Sequence, residues 1–234
     1  MLLLRYMNMN VGLIRTLGKP VTLFYGLSIL ALAFSVLMSQ TKAPDCQDFP
    51  QTGKSVCGPF LDYWRSHGGV AVQGYPVSDL LQEKSAIDGQ DHTVQYFEKA
   101  VYELHPELSG ADKVQLEPLG SMRFAALYPE GSPVSDWDHA NESQYFPQTG
   151  YYVEEPFLSY WQQHGGAGQF GYPISRPFEE RSAADGRTYT VQYFERAEIE
   201  LHPENPTPYQ LLPTPLGTLR FAQRYPHGVP TPTP

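Results

Sequence analysis

The sequence predicts an α+β protein built from two tandem, duplicated modules, each with one short helix and a small antiparallel sheet, after an N-terminal hydrophobic export helix. Three observations predict this architecture. A shift of 97 residues aligns 49–131 with 146–228 without a gap, with 44 identities in 83 positions. Each copy also contains one run with the apolar spacing of a helix and one run with the alternation of a β-hairpin.

The N-terminal segment is predicted to direct export. Residues 21–38 are 18 consecutive residues without a charge, preceded by Arg15 and Lys19. A run of this length is near the minimum for a membrane span, so the segment is either a retained signal-anchor, which we favour, or a cleaved signal peptide. The basic residues Arg15 and Lys19 precede the run. Because basic residues next to a membrane segment stay in the cytoplasm, this arrangement predicts that the rest of the chain lies outside it.

The two cysteines of the chain, Cys46 and Cys57, follow this segment closely. In an oxidising compartment a disulfide is the natural pairing, with two free thiols as the alternative. The second copy has Ser143 and Glu154 at these positions. Two bonded cysteines are expected to be lost together, so this difference between the copies favours the disulfide.

The first long element of each module is predicted to be a helix with an aromatic face. The helical spacing i, i+3, i+4, i+7 is met by Phe60, Tyr63, Trp64 and His67. A module of under 100 residues needs large side chains in its core, so we expect Trp64 and its copy Trp161 to be buried and structural. The Gly68-Gly69 pair ends the helix. The two helices are expected near 57–67 and 154–164.

A β-hairpin is predicted to follow, with strands near 92–97 and 101–105 joined at the polar kink 98–100, and a last strand or turn near 114–118. A polar, turn-rich stretch separates the copies, and a Pro/Thr run ends the chain. The predicted boundaries are 1–40 for the export segment, 41–131 for module 1, 132–145 for the linker, 146–228 for module 2 and 229–234 for the tail.

The order of motifs in each copy resembles a known family. A helix with Trp-x-x-x-Gly-Gly is followed by Gly-Tyr-Pro, Asp-Gly, Gln-x-Phe-Glu and Leu-Gly, and this series resembles the LGFP-type repeats of bacterial exported and cell-envelope proteins. The resemblance covers nearly all of residues 49–228. The Leu-Gly-Phe-Pro core of the family appears here as residues 73–76, Gln-Gly-Tyr-Pro, and 170–173, Phe-Gly-Tyr-Pro. Such repeats are often attached to wall hydrolases or mycolyl-transferring enzymes, which implies a role in holding a protein at the envelope.

The charge balance argues against nucleic acid as a partner. The chain has 16 Lys+Arg against 25 Asp+Glu, and the first 38 residues hold three basic residues and no acidic one. The exported part is therefore strongly acidic, whereas affinity for a duplex depends on basic residues that neutralise phosphates.

Ligand-binding candidates are aromatic and polar residues that recur in both copies. They are Tyr75, Tyr96, Glu98, Glu103 and His105, with the copies Tyr172, Tyr193, Glu195, Glu200 and His202. The positions of Tyr75 and Tyr96 are expected at the surface, where their rings could stack on sugars. A strand places Glu103 and His105 on one face, at a spacing that two metal ligands could use, with His67 or His164 as a third. Because Glu-x-His is common on a solvated strand face, no metal site and no cofactor is predicted.

The function predicted from these observations is non-catalytic. The chain is expected to bind envelope polysaccharide or a surface protein outside the cytoplasm, held to the membrane by its N-terminal helix. It has no His-Glu-x-x-His, Gly-x-Ser-x-Gly or phosphate-loop motif. The alternative is an envelope hydrolase that uses the Glu/His clusters, with Glu98 and Glu103 as acid and base. Duplication favours binding, because every candidate group occurs twice whereas an active site needs one set.

Overall fold

The structure is a computed structural model that describes residues 45–135 and 143–230. These residues belong to one compact unit. The predicted export segment lies outside the described residues, as do parts of the predicted linker and tail. Among the described residues, no helix has both the length and the apolar character needed to cross a bilayer.

The two modules contain matching elements in the same order. Module 1 consists of β1 (Cys46–Phe49), β2 (Lys54–Cys57), α1 (Gly58–Ser66), α2 (Gly69–Gln73), β3 (Leu81–Lys84), β4 (Asp91–Tyr96), β5 (Val101–Leu104), a 3-10 helix (Gly110–Lys113), β6 (Val114–Leu116) and α3 (Leu119–Leu127). Module 2 consists of β7 (Ser143–Phe146), β8 (Tyr151–Glu154), α4 (Phe157–Gln163), α5 (Gly166–Phe170), β9 (Phe178–Arg181), β10 (Thr188–Tyr193), β11 (Glu198–Leu201), β12 (Leu211–Pro213) and α6 (Leu216–Arg224). Each module has a two-stranded hairpin and a four-stranded antiparallel sheet with its strands in sequential order. The prediction of an α+β fold is confirmed.

The prediction of one helix per module is wrong, since the described part of each module contains three α-helices. The long aromatic helix lies where it was expected. It ends at Ser66, and the short α2 begins at Gly69, directly after Gly68, whose φ of 84° suits glycine. The helix α3 was not predicted. Its apolar residues contact two partners, the helix α6 and the strand β10, so they do not form the single apolar stripe that identifies an amphipathic helix in a sequence.

The predicted disulfide is confirmed. Cys46 and Cys57 face each other in the register of β1 and β2 and are bonded. The hairpin β7–β8 of module 2 has the same register, with Ser143 opposite Glu154.

One face of each four-stranded sheet packs against the aromatic helix of its own module. Trp64 and Trp161 are each 8% exposed, so their predicted burial is confirmed. The indole N–H of Trp64 donates to the carbonyl of Gly74 at 2.9 Å, and the ring packs edge-on against Phe49 with centroids 5.0 Å apart. This face forms the core of each module.

The other face of each sheet is covered by the last helix of the other module. Phe124 of α3 lies 5.1 Å from Tyr193 of module 2, and Phe221 of α6 lies 5.2 Å from Tyr96 of module 1, measured between ring centroids. We call α3 and α6 the swapped helices. Their reciprocal packing relates the modules by a pseudo-twofold axis, at which the two helices also contact each other.

The swapped helices approach the opposite module so closely that only glycine fits at their second position. A Cβ atom on Gly217 would overlap with the carbonyl oxygen of Phe97 and lie 2.7 Å from that of Ala100, and Gly120 makes the equivalent approach to module 2. The close approach also allows a hydrogen bond between the modules. The backbone N–H of Thr218, the residue after Gly217, donates to the carbonyl of Glu98 at 3.0 Å.

Replacing Gly217 by alanine should therefore weaken the docking of the modules. We expect a loss of about 1 to 3 kcal/mol in the free energy of unfolding, the usual range for overpacking, although alanine is the better helix former. Urea unfolding followed by circular dichroism measures this loss. Gly168→Ala in α5 is the control, because a Cβ there meets no atom within 4 Å. Equal stability of the two variants would contradict the close approach.

Candidate functional site

The tyrosines proposed as surface candidates lie in two different environments. Tyr96 and Tyr193 have no exposed surface, so the expectation that Tyr96 lies at the surface is wrong. Strand alternation does place Tyr96 on the face opposite the aromatic helix, but the swapped helix α6 covers that face. Tyr75 and Tyr172 are half-buried, and each packs against the core of its own module.

Glu98 and Glu195 are engaged within the fold. A carboxylate oxygen of Glu98 accepts a hydrogen bond from the backbone N–H of Tyr75 at 3.0 Å, and Glu195 makes the same contact with Tyr172. Each glutamate thus holds the Gly-Tyr-Pro turn of its module against the turn that joins the two central strands of the sheet.

Glu103 and His105 lie on a buried face, so the expectation of a solvated strand face is wrong. Their exposed fractions are 0% and 4%, and those of Glu200 and His202 are also low. Glu103 accepts from the hydroxyl of Ser85 at 2.8 Å, because the β3–β4 turn folds over this end of the sheet. The carboxylate of Glu98 is held at the opposite end of β5, so each member of the suggested acid–base pair has its own partner within the fold.

A histidine that sequence reasoning did not select joins this cluster. The ring of His92 lies 4.1 Å from that of His105, and its Nε2 lies 2.9 Å from the carboxylate of Asp88. Burial lowers the pKa of His92, but the hydrogen bond and charge of Asp88 outweigh it, so the net shift is upward. The signal that could have found His92 is its replacement by Tyr189 in the otherwise similar second copy.

A cleft of about 840 Å³ lies between the two modules. We call it the inter-module cleft. Its lining includes Tyr63, His67, Asp112 and Gln115 from module 1, with Gln169, Glu195 and Arg196 from module 2. A second groove continues from it along α1 and the 3-10 helix.

The wall of the cleft on the module 1 side is an aromatic pair. Tyr63 and His67 stack with centroids 3.8 Å apart and planes 6° from parallel. A carbonyl oxygen only accepts, so Nδ1 of His67 donates to the carbonyl of Tyr63 at 2.9 Å. Burial raises the pKa of Tyr63 to about 12, although the nearby charge of Arg196 lowers it, so the phenol remains a neutral donor at physiological pH.

The opposite wall is positioned by module 2. The guanidinium of Arg196 donates to the carbonyls of Ala167 and Gly168, in the first turn of α5, at 2.9 and 3.2 Å. Gln169 is held by reciprocal amide hydrogen bonds with Gln73 across the interface, at 2.7 and 3.2 Å. The cleft is therefore preorganised by contacts within module 2 and by the glutamine pair between the modules.

Sequence reasoning missed Asp112, Gln115 and Arg196 because no single module assembles the cleft. Two of these positions differ strongly between the copies, with Tyr209 and Leu212 in place of Asp112 and Gln115. Such differences between otherwise similar copies are the signal in the sequence that could have identified them.

Comparison with known proteins identifies no family. No protein-family model matches the chain, and no curated protein or solved structure is significantly similar to it. The resemblance to LGFP-type repeats therefore stays a prediction from the sequence motifs.

Proposed function

We propose that the chain is a non-catalytic binding protein of the cell envelope, which holds envelope polysaccharide in the inter-module cleft. The observation that carries this proposal is the inter-module cleft. Its lining combines hydrogen-bonding side chains with an aromatic wall, and both modules hold it in place. Sugar chains present many hydroxyl groups around apolar ring faces, and such a lining complements both. The exported location belongs to the same proposal and is supported by the uncharged run at residues 21–38 and by the disulfide.

The size and shape of the cleft fit an oligosaccharide segment. Ligand sites commonly occupy about 300 to 1,000 Å³, and 840 Å³ lies in the upper part of that range. The groove that continues along α1 extends the same surface, as a polymeric ligand would need.

Gln115→Leu tests the proposal, because leucine is the residue that module 2 carries at this position. We expect binding to soluble fragments of bacterial cell-wall polysaccharide, measured by isothermal titration calorimetry, to weaken about tenfold, since one hydrogen bond contributes about 1 to 1.5 kcal/mol. Leu212→Ala, at the equivalent position outside the cleft, is the matched control and should bind like the wild-type protein.

Unchanged affinity in Gln115→Leu would place the ligand elsewhere, and no binding by the wild-type protein would remove the proposal. Release of reducing ends is measured in the same samples. Turnover of the polysaccharide would favour the hydrolase alternative.

A further inference from the structure

A cluster of metal-binding side chains lies at one end of the module 1 sheet, next to the β3–β4 turn, whose Ile87 also lines the inter-module cleft. The register of β4 and β5 pairs Thr93 with Leu104, which places His92 opposite His105 at the next step of the ladder. Asp88 reaches the same point from the β3–β4 turn. Ligand atoms from Asp88, His92 and His105 all lie within 4.8 Å of one another.

Two buried atoms in this cluster lack a hydrogen-bond partner. They are Nε2 of His105 and Oε1 of Glu103, and both side chains are more than nine-tenths buried. The other oxygen of Glu103, Oε2, lies 3.6 Å from Nε2 of His105. Buried polar groups in folded proteins are normally satisfied, so the unpartnered nitrogen of His105, which lies among ligand atoms of Asp88 and His92, points to a ligand bound at this place.

The outer contact of His105 orients its ring as in metal sites. Nδ1 of His105 lies 3.0 Å from the carboxylate of Glu107. A carboxylate or carbonyl on one ring nitrogen fixes the tautomer and directs the other nitrogen to the metal. Nε2 of His105 is thereby left as a lone-pair donor facing the cluster.

We propose that Asp88, His92 and His105 bind a zinc ion, with Glu103 as the fourth ligand. Imidazole nitrogens with carboxylate oxygens suit zinc, which favours four ligands in a tetrahedron. Ligand atoms around such an ion lie roughly 3 to 3.5 Å apart, so the cluster must close by about 1 Å. Asp88 can move that far, because its side chain is 39% exposed on a turn. The bound ion would fasten the β3–β4 turn to β5.

Module 2 supplies an internal contrast. Tyr189 replaces His92, and its hydroxyl lies 2.9 Å from Asp185 and 3.0 Å from Glu204. Nε2 of His202 is bonded to Glu200 at 2.8 Å. In module 2 the histidine nitrogen is therefore partnered, although Oε1 of Glu200, like Oε1 of Glu103, has no hydrogen-bond partner. Only module 1 combines a buried, unpartnered imidazole nitrogen with a second imidazole at this position.

The experiment measures zinc binding by the purified full-length protein after treatment with a chelator. Calorimetric titration with zinc chloride should show one high-affinity equivalent that is lost, or weakened at least tenfold, in His92→Tyr. This variant introduces the residue that module 2 already accommodates, and its circular dichroism spectrum checks that it folds. His105→Ala should lose the same equivalent.

Two further variants make the result specific. His164→Ala removes a histidine distant from the cluster and should bind zinc like the wild-type protein. Tyr189→His rebuilds the ligand set in module 2 and should add a second equivalent. The proposal is overturned if the wild-type protein binds no zinc at micromolar concentrations, or if His92→Tyr binds it as the wild-type protein does.

Discussion

Replacing Arg123 by methionine should lower the free energy of unfolding at pH 8 by about 3 to 5 kcal/mol, the usual cost of removing one partner from a buried ion pair. Arg123 lies on the swapped helix α3, and its guanidinium contacts Glu198 at 2.7 Å and Glu180 at 2.9 Å. Both carboxylates are buried in the module 2 sheet. Methionine keeps the packing of the side chain but leaves the two carboxylates without their cation.

The loss should depend on pH in a defined direction. Burial raises the pKa of Glu198 from 4.5 to about 7, although Arg123 lowers it. The folded state therefore retains a proton that the unfolded state releases between about pH 4.5 and 7, so the stability of the wild-type protein falls as the pH rises through this window. Without Arg123 the pKa of Glu198 rises further and the fall continues above pH 7. Chemical unfolding at pH 6 and pH 8 should show the larger loss at pH 8.

Two controls separate the buried pair from a general effect of lost charge. Arg187→Met removes an exposed arginine that lies 3.9 Å from Asp185, and it should change stability little because solvent screens that pair. Adding Glu198→Val to Arg123→Met should recover part of the loss, since valine is the residue at the equivalent position 101 of module 1. A double variant no more stable than Arg123→Met would contradict the ion-pair explanation.

Trp64→Ala should cost about 3 to 5 kcal/mol, as is typical for removal of a large buried aromatic side chain. The substitution deletes the edge-on contact with Phe49 and leaves the carbonyl of Gly74 without its indole donor. The backbone of Gly69 also packs on this ring, so the cavity has little freedom to collapse. Thermal unfolding measures the loss, and Trp161→Ala should repeat it in module 2.

Trp64→Phe is the matched variant, because it keeps an aromatic ring while it removes the indole N–H. It should be more stable than Trp64→Ala. An unchanged melting temperature in Trp64→Ala, together with lost polysaccharide binding, would instead make this tryptophan part of a ligand surface.

Features that depend on short stretches of chain could be predicted from the sequence. The helical spacing of Phe60, Tyr63 and Trp64 located α1, and period-2 alternation located the hairpin of β4 and β5. The disulfide followed from the joint loss of both cysteines in the second copy. In each case the physical cause acts within a module, over a few residues.

Features that depend on contacts between the modules could not be predicted in this way. Alternation correctly assigned Tyr96 to one face of its strand but carried no information that α6, more than 100 residues later, covers that face. The residues of the inter-module cleft are likewise brought together only by the packing of one module against the other, which no local pattern in the sequence shows. The burial of Glu103 and His105 likewise depends on how the β3–β4 turn folds over the sheet.

The reciprocal position of the swapped helices has a consequence for any chain that contains only one repeat. Such a chain would leave one face of its sheet, including Val94 and Tyr96, exposed to water, while its last helix would lack a sheet to cover. Two copies of that chain could satisfy each other through a symmetric, isologous interface, because the same patch would serve on both sides. A one-repeat protein of this kind would be an obligate homodimer, and the duplicated chain amounts to that dimer joined into a single polypeptide.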